Sequence, residues 1–562
     1  MLPVLAAVVV YLPTLQYGFV WDDPLVLEQL RAFRSLGDFI VLPPIVPRFY
    51  FRPLIFVSYF IDRWIGGETP YWFHASVIAF HALNTYLVFL LGRHLFPSAW
   101  LVASGGALVF AVFPTHVESV AWMAGRSDVI VCTFVLLSVL VFAQRQREWS
   151  AWLGGLLVFC ALLSKEMALA SVMLIPLLDL MSTRRLYWSR YVPLGIAVGA
   201  YLVLRQNSLG TFVGGLPTNV ASGQLTADVF RAIGFYMLQT IAPLHLSAYV
   251  PEVPTSPLYA VVGVLALLAC ATGVALSWRL GAWQPGFLIG WFCLTLTPSL
   301  MVIVRGSASA VVADRYLYVP SVASCLLLVW ALARLAPRWS MGTRIVVGIV
   351  GVLCLIFSFQ VSRYSAAWAD NLSFWTDVAA KTPGYTMPER ELAAALVERG
   401  RLADAEAALQ RALRGRSDPE GLAMTYSNLG NLYRRTERYD DATLAFQKGL
   451  TIAPHPILYH NLGLALMKRV ELADRRGDQE AVKRDIVQAR RAFEEAIALS
   501  NAPQADQAYA EWSPAKSHAL LGQILFSLGD RAAAQQQLET SLRLEPTGPV
   551  AEVTRQYMKR LQ

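Results

Sequence analysis

Of 562 residues, 56% are hydrophobic and 15% charged, far below the roughly 25% charged of an ordinary soluble chain, which excludes disorder and points to a membrane. The formal +8 comes mostly from the apolar part before about residue 363, whereas the charge-rich part after it is nearly balanced. That distribution disfavours a basic nucleic-acid stripe and favours arginines in membrane-flanking loops. All six cysteines lie in apolar runs without a Cys-x-x-Cys, so neither a disulfide scaffold nor a zinc site is indicated.

The chain enters an apolar run at Leu2 and has no Lys or Arg before Arg31, unlike a signal peptide with its basic leader, so residues 2–17 read as an uncleaved first span. Stretches close to the ~20 residues that cross a bilayer follow near 71–92, 100–114, 128–143, 151–164, 167–181, 192–204, 258–278, 286–304, 317–333 and 345–361. With 228–247 left as a re-entrant or interfacial segment, the reading is eleven spans. The loops then alternate in arginine. Arg93, Arg145, Arg147, Arg184, Arg185, Arg190, Arg279, Arg334, Arg338 and Arg344 fall on one side, with Glu148 as the only acid there. The positive-inside rule puts that side and the N-terminus in the cytoplasm, and the C-terminal part outside.

Chemistry is expected on the outer face, where ionisable groups at membrane depth are costly and usually functional. The loop from about 18 to 70 opens on Tyr17-Gly-Phe-Val-Trp-Asp-Asp-Pro24. Helix capping ahead of Pro24 would account for one of Asp22 and Asp23 but not both. His74, His81 and Asn84 share a helical face, which suits packing or a site. Further outer motifs are Phe113-Pro-Thr-His-Val-Glu-Ser119, Gly125-Arg-Ser-Asp128, Ser164-Lys-Glu-Met167, in which Lys165 and Glu166 could simply pair, and Ala313-Asp-Arg-Tyr-Leu-Tyr-Val-Pro-Ser321. A carboxylate can serve as general base on an acceptor hydroxyl, and Arg or Lys can neutralise a departing phosphate. Spacing alone leaves the reaction open.

Residues 386–550 repeat with a period near 34, and small and aromatic residues stand at tetratricopeptide positions. The clearest copy has Tyr426, Leu429, Gly430, Tyr433, Ala442, Phe446 and Pro454. A second has Tyr459, Leu462 and Gly463, then about fourteen inserted residues rich in Arg, Asp and Glu, then Ala489, Phe493 and Ala496. A third has Leu521, Gly522, Gly529, Ala534, Leu538 and Pro546, and a degenerate first copy has Gly400, Ala405, Leu409 and Ala412. Stacked repeats form a groove for an extended peptide or partner helix. The expected architecture is all-α: a polytopic membrane domain over 1–362, a linker over 363–385 and a tetratricopeptide-repeat solenoid over 386–562.

Trp21-Asp-Asp-Pro24, Phe51-Arg-Pro-Leu54, Phe73-His74 through His81 and Asn84, Phe113-Pro-Thr-His-Val-Glu118 with Gly125-Arg126, Ser164-Lys-Glu166 and Asp314-Arg-Tyr-Leu-Tyr-Val-Pro-Ser321, followed by the repeats, resemble the transmembrane and tetratricopeptide-repeat O-mannosyltransferases, a family of the GT-C glycosyltransferase superfamily, here as a prokaryotic member. The resemblance implies transfer of a sugar, mannose above all, from a polyprenyl-phosphate donor to Ser or Thr of an exported protein, with inversion. The active site and repeats would then lie on the periplasmic or extracytoplasmic side of the inner or plasma membrane, and the repeats would hold the acceptor. Carried over by residue, it makes Asp22 or Asp23 the catalytic base, with Asp22 favoured as the first of the pair. It places His116, Glu118, His81 and Arg52 around sugar and acceptor, and Arg315, Lys165 and Arg126 on the donor phosphate. No cofactor is required by this reading, no metal ligands are assigned, and a divalent ion on the paired acids with His116 and Glu118 is the alternative. Two other functions fit the same parts. One is a non-enzymatic scaffold assembling an envelope complex through its repeats, and the other an envelope polysaccharide ligase or polymerase.

Overall fold

The computed structural model describes residues 1–40, 50–145, 147, 149–210, 222–305, 311–336, 340–501 and 512–561. Glu148 and Arg338, assigned above to cytoplasmic loops, lie outside these residues. Among the described residues the chain is helical without strands, apart from two isolated bridges, Val250 with Val312 and Tyr385 with Arg416. It divides into two compact units, Met1–Val378 and Ala379–Gln562.

Among the described residues of the first unit, five helices are long and apolar enough to cross a membrane: Pro70–Leu95, Pro257–Arg279, Trp283–Val304, Asp314–Leu335 and Met341–Trp368. A sixth would be Trp100–Ala111 with Pro114–Ala121, bent by 46° at Phe113-Pro114. The count of eleven spans is therefore not reproduced by helix length and apolarity. The physical reason lies in the intervening stretches. Leu2–Gln16, Trp149–Ser164 and Ala168–Thr183 are apolar but short. Arg126–Phe142 buries Arg126, Ser127 and Asp128 in its first turn, which dilutes an otherwise apolar run. Segment 228–247 falls on the helix Ser222–Ile241 and the non-helical chain after it.

The stretch 363–385, read as a linker, is largely helical, with Met341–Trp368 followed by Asn371–Lys381. Its aromatic residues Trp368, Phe374 and Trp375 are buried in the first unit.

Among the described residues, the second unit is four helix pairs and a final helix. The pairs are Thr386–Glu398 with Leu402–Ala412, Pro419–Arg435 with Tyr439–Ile452, Pro456–Arg475 with Gln479–Ser500, and Ala515–Ser527 with Arg531–Leu544, closed by Pro549–Leu561. Gly430 and Gly463 show why small residues recur: a Cβ on either would stand 2.5 Å or 2.6 Å from the ring of Phe446 or Phe493 on the paired helix. The second helices of the last two pairs start on an aspartate cap, Asp478 accepting from the Ala481 amide at 3.0 Å and Asp530 from Ala533 at 3.1 Å. The charged insertion forms no loop. It lengthens both helices of the third pair, to 20 and 22 residues against 17 and 14 in the second. Buried Asp485 is held there by Arg469 at 3.0 Å.

Candidate active site

Trp21-Asp22-Asp23-Pro24 turns sharply into the helix Asp23–Arg31, whose Pro24 supplies a fixed φ in the first turn. Trp21 takes a left-handed backbone, φ 55°, a conformation that costs a bulky residue roughly 1–2 kcal/mol. Its surroundings over-determine that choice. The indole stacks on Trp122 at 4.9 Å and on Phe374 at 5.5 Å, and the Trp21 backbone N–H donates to Asn371 Oδ1 at 3.0 Å.

The two acids that follow are in unlike states. Asp23 is fully buried; its Oδ2 accepts from the Val20 amide and its Oδ1 from the Ala124 amide, both at 3.0 Å. It thereby ties the 17–22 turn to the loop ahead of Arg126. Burial pushes its carboxyl up to about 7 against the pull of those amides. Asp22 occupies the cap position but its side chain caps nothing. It keeps an open face to solvent, and its carboxyl makes no hydrogen bond among the described residues. Surrounding protein raises it above the ordinary carboxylate range, with the Arg315 guanidinium drawing it back. Capping thus explains neither acid: one is a tether and the other is free.

Around this turn the cations are all matched. Arg315 in the turn Asp314–Leu317 binds Glu118 twice, through its guanidinium and through its backbone N–H at 2.9 Å. Its guanidinium also lies 5.6 Å from the Trp122 ring, which stacks on Trp21. Lys165 Nζ donates to both oxygens of Asp128, at 2.7 and 2.6 Å. Arg52 makes a two-pronged contact with Glu166, at 2.9 and 2.6 Å. Arg126 pairs with Asp62 at 2.5 Å and donates to the Phe73 carbonyl at 2.8 Å. The neighbours Lys165 and Glu166 therefore do not pair with each other. Burial lowers the Lys165 ammonium, and Arg52 overcomes burial to hold Glu166 down at about 2.

Burial separates these groups. Arg52 and Arg315 keep 20% and 15% of their side chains exposed, whereas Lys165 keeps 5% and Arg126 1%. Glu118 is fully buried with both oxygens on Arg315. His81 is buried between the Tyr318 hydroxyl at 2.7 Å and the Ala111 carbonyl at 3.0 Å, and buried His116 meets Ser321 Oγ at 2.7 Å. His81 spends both ring nitrogens on these neighbours, whereas His116 Nδ1 is buried without a hydrogen-bond partner among the described residues, and both rings sit in an aromatic cluster with Phe110 and Tyr318. Among the described residues, no three His, Cys, Asp or Glu side chains converge as metal ligands.

Several participants were not singled out by sequence reasoning. Asp62 is the one acid in the apolar helix Pro53–Gly66, and it is buried while its neighbour Arg63 is not; a buried acid in such a run is the signal that a cation must come to it. Gln239 donates to Asp314 Oδ1 at 2.8 Å and Asn371 receives the Trp21 amide; neither contact has a local sequence signature.

Residues 386–455 and 515–547 match family models of the tetratricopeptide repeat. The chain is 36% identical over 195 residues to protein O-mannosyl-transferase Tmtc1 of Drosophila melanogaster, covering 31% of this chain and 22% of that protein. It is 28% identical over 207 residues to protein O-mannosyl-transferase TMTC2 of Homo sapiens, covering 33% and 24%. With protein O-mannosyl-transferase F38B6.6 of Caenorhabditis elegans, similarity at 23% identity extends over 63% of this chain and 52% of that protein. The chain is thus similar, over part of its length, to the TMTC protein O-mannosyl-transferases. The family resemblance read from the motifs is borne out. The matched stretch spans about a fifth of the length of the first Drosophila and mammalian relatives. Among solved structures, Pseudomonas aeruginosa pilF overlaps 48% of this chain and 99% of its own at 14% identity, with a TM-score of 0.27.

Proposed function

We propose that the protein is an integral-membrane O-mannosyltransferase that moves mannose from a polyprenyl-phosphate donor to Ser or Thr of an exported protein, with the repeat unit holding the acceptor. Asp22 is the general base. It takes the proton of the acceptor hydroxyl as the oxygen bonds to the anomeric carbon, and the bond from that carbon to the phosphate oxygen breaks. Attack opposite the phosphate inverts the configuration. The departing polyprenyl phosphate gains negative charge and is met by Arg315, with Arg52 the other cation in reach of solvent. A proton acceptor and a cation placed together in this way supply the two charges that such a displacement needs. The first unit spans the membrane, and the site and repeats face outward. Similarity to relatives named protein O-mannosyl-transferases supports the reaction class.

The observation that carries this reading is the free Asp22 carboxyl, raised by its surroundings and within the field of Arg315. Its test is Asp22→Asn in membranes supplied with polyprenyl-phosphate-mannose and exported acceptor proteins, read by mass spectrometry. Loss of the base should lower transfer by roughly 10²–10⁴-fold with insertion and folding intact. Wild-type turnover in the variant would remove Asp22 from the mechanism.

A further inference from the structure

Segment 228–247, read above as re-entrant or interfacial, leads to the turn that carries Arg315. Its helix Ser222–Ile241 is set directly on Pro257–Arg279, because Gly234 and Gly263 stand where a Cβ would strike the backbone of the other helix. From this base, four contacts reach the chain just ahead of Arg315. The Val250 carbonyl accepts the Val311 amide at 3.0 Å, part of the bridge between Val250 and Val312. The Tyr236 hydroxyl accepts the Ala313 amide at 3.4 Å. Gln239 Nε2 donates to Asp314 Oδ1 at 2.8 Å, and the Ser247 amide donates to Asp314 Oδ2 at 3.3 Å. Gln239 Nε2 also donates to the His245 carbonyl at 3.1 Å, which folds the chain after the helix back onto the same carboxylate.

Tyr236, Gln239 and Asp314 are all buried, where a carboxylate is kept only if donors come to it. Asp314 and Arg315 then hold the turn from opposite directions. Asp314 faces the 236–250 segment, whereas Arg315 gives its backbone N–H and its guanidinium to Glu118. In the proposed reaction the guanidinium turns from Glu118 to the departing phosphate, so part of its own anchorage is released during the step. The Asp314 contacts are not released, and they keep the backbone of the turn in place while the side chain moves.

We infer that Gln239 and Asp314 are positioning residues for Arg315, and that the 236–250 segment is the brace that aims its guanidinium at the phosphate and at Asp22. Neither residue touches substrate. Gln239 acts through Asp314, and Asp314 acts through the backbone that it shares with Arg315. A guanidinium displaced by about 1 Å loses much of its effect on a charge developing at a fixed place. The inference rests on the transferase reading, in which Arg315 meets the leaving group, and it gives a segment that no motif marks a part in that reaction.

The test is Gln239→Leu in the full-length protein, which keeps the bulk of the side chain and removes its donor. Asp314→Asn is the second variant, measured in the same way should the first not insert. With polyprenyl-phosphate-mannose as donor, kcat should fall about tenfold or more with little change in the donor KM. Asp22 is faced by Arg315 and by Asp23, and only the charge on Arg315 moves in these variants. Arg315 draws the Asp22 carboxyl down, so its displacement should carry the acid limb of the kcat/KM profile to higher pH by roughly half a unit or more, which a loss of folded enzyme cannot do. Hydrogen–deuterium exchange in detergent, which needs no turnover, should show amides 311–316 exchanging faster than in the wild type. Thr240→Val, which removes a hydroxyl bonded within the same helix, should match the wild type in all three measurements. A wild type that transfers no sugar would count against the transferase reading, with the exchange result still deciding the brace. An unchanged acid limb, unchanged exchange at 311–316, or the same shifts in Thr240→Val would overturn the inference.

Discussion

At the scale of single residues, the Asp22-Asp23 pair shows how one dipeptide can hold two carboxylates in unlike environments. Asp23 spends both oxygens on backbone amides from separate loops and so fixes where Asp22 stands. Its raised carboxyl has a consequence for stability. The folded value of about 7 lies above the free value of 3.8, so between these limits the folded state keeps a proton that the unfolded state has released. The contribution is fully present below about pH 4 and is lost as the pH rises through 7. Thermal melts of the detergent-solubilised protein across this range should show the decline, and Asp23→Asn should flatten it. An unchanged slope in that variant would mean that another group titrates.

Among the elements, the turns of the repeat unit make a self-contained comparison. Gly400, Gly477 and Gly529 each take positive φ two residues beyond the first helix of a pair, where the chain reverses. In the second pair the same position is Glu437, at φ 59°. A side chain in the left-handed region costs roughly 1–2 kcal/mol, which glycine does not incur. Glu437→Gly should therefore stabilise the unit by about 1 kcal/mol, visible as a higher midpoint in chemical denaturation. A lower midpoint would show that Glu437 contributes contacts of its own.

This regularity also explains what was legible from the sequence. Gly430, Phe446 and their counterparts recur because each pair solves the same packing problem, so period and residue type alone place the repeats. The site motifs could be read as chemistry-bearing segments for a similar reason, since charged groups in apolar runs stand out. Their pairing could not. Lys165 chooses Asp128 over its neighbour Glu166, and Glu166 chooses Arg52, because helix orientation decides which side chains meet across distances in sequence of 37 and 114 residues. The stretch 363–385, read as a linker between the two parts, carries contacts with no local signature: Asn371, Phe374 and Trp375 clamp the Trp21 turn.

For the whole molecule, the arginine distribution and the proposed reaction demand one orientation. The loop after Leu335 should face the cytoplasm, and the repeats the opposite side. A cysteine in place of exposed Lys483 should react with a membrane-impermeant maleimide on intact cells, whereas one in place of Arg334 should react only after permeabilisation. The six native cysteines lie in the first unit, so an unsubstituted control gives the background. The reverse labelling pattern would put the repeats in the cytoplasm and end the case for an exported acceptor.

The prior matching of Arg52, Arg126, Lys165 and Arg315 to carboxylates makes the centre a filter on anions. An inorganic phosphate arriving from solution meets no bare charge among these four. To bind Arg315 it must draw the guanidinium from Glu118, whose buried carboxylate, left alone, costs about 3–5 kcal/mol. A phosphate tethered to a membrane-embedded tail is held beside the site at high effective concentration and can make that exchange again and again. On the proposed reaction, the ion pairs would keep common soluble anions out while admitting the one that the bilayer delivers.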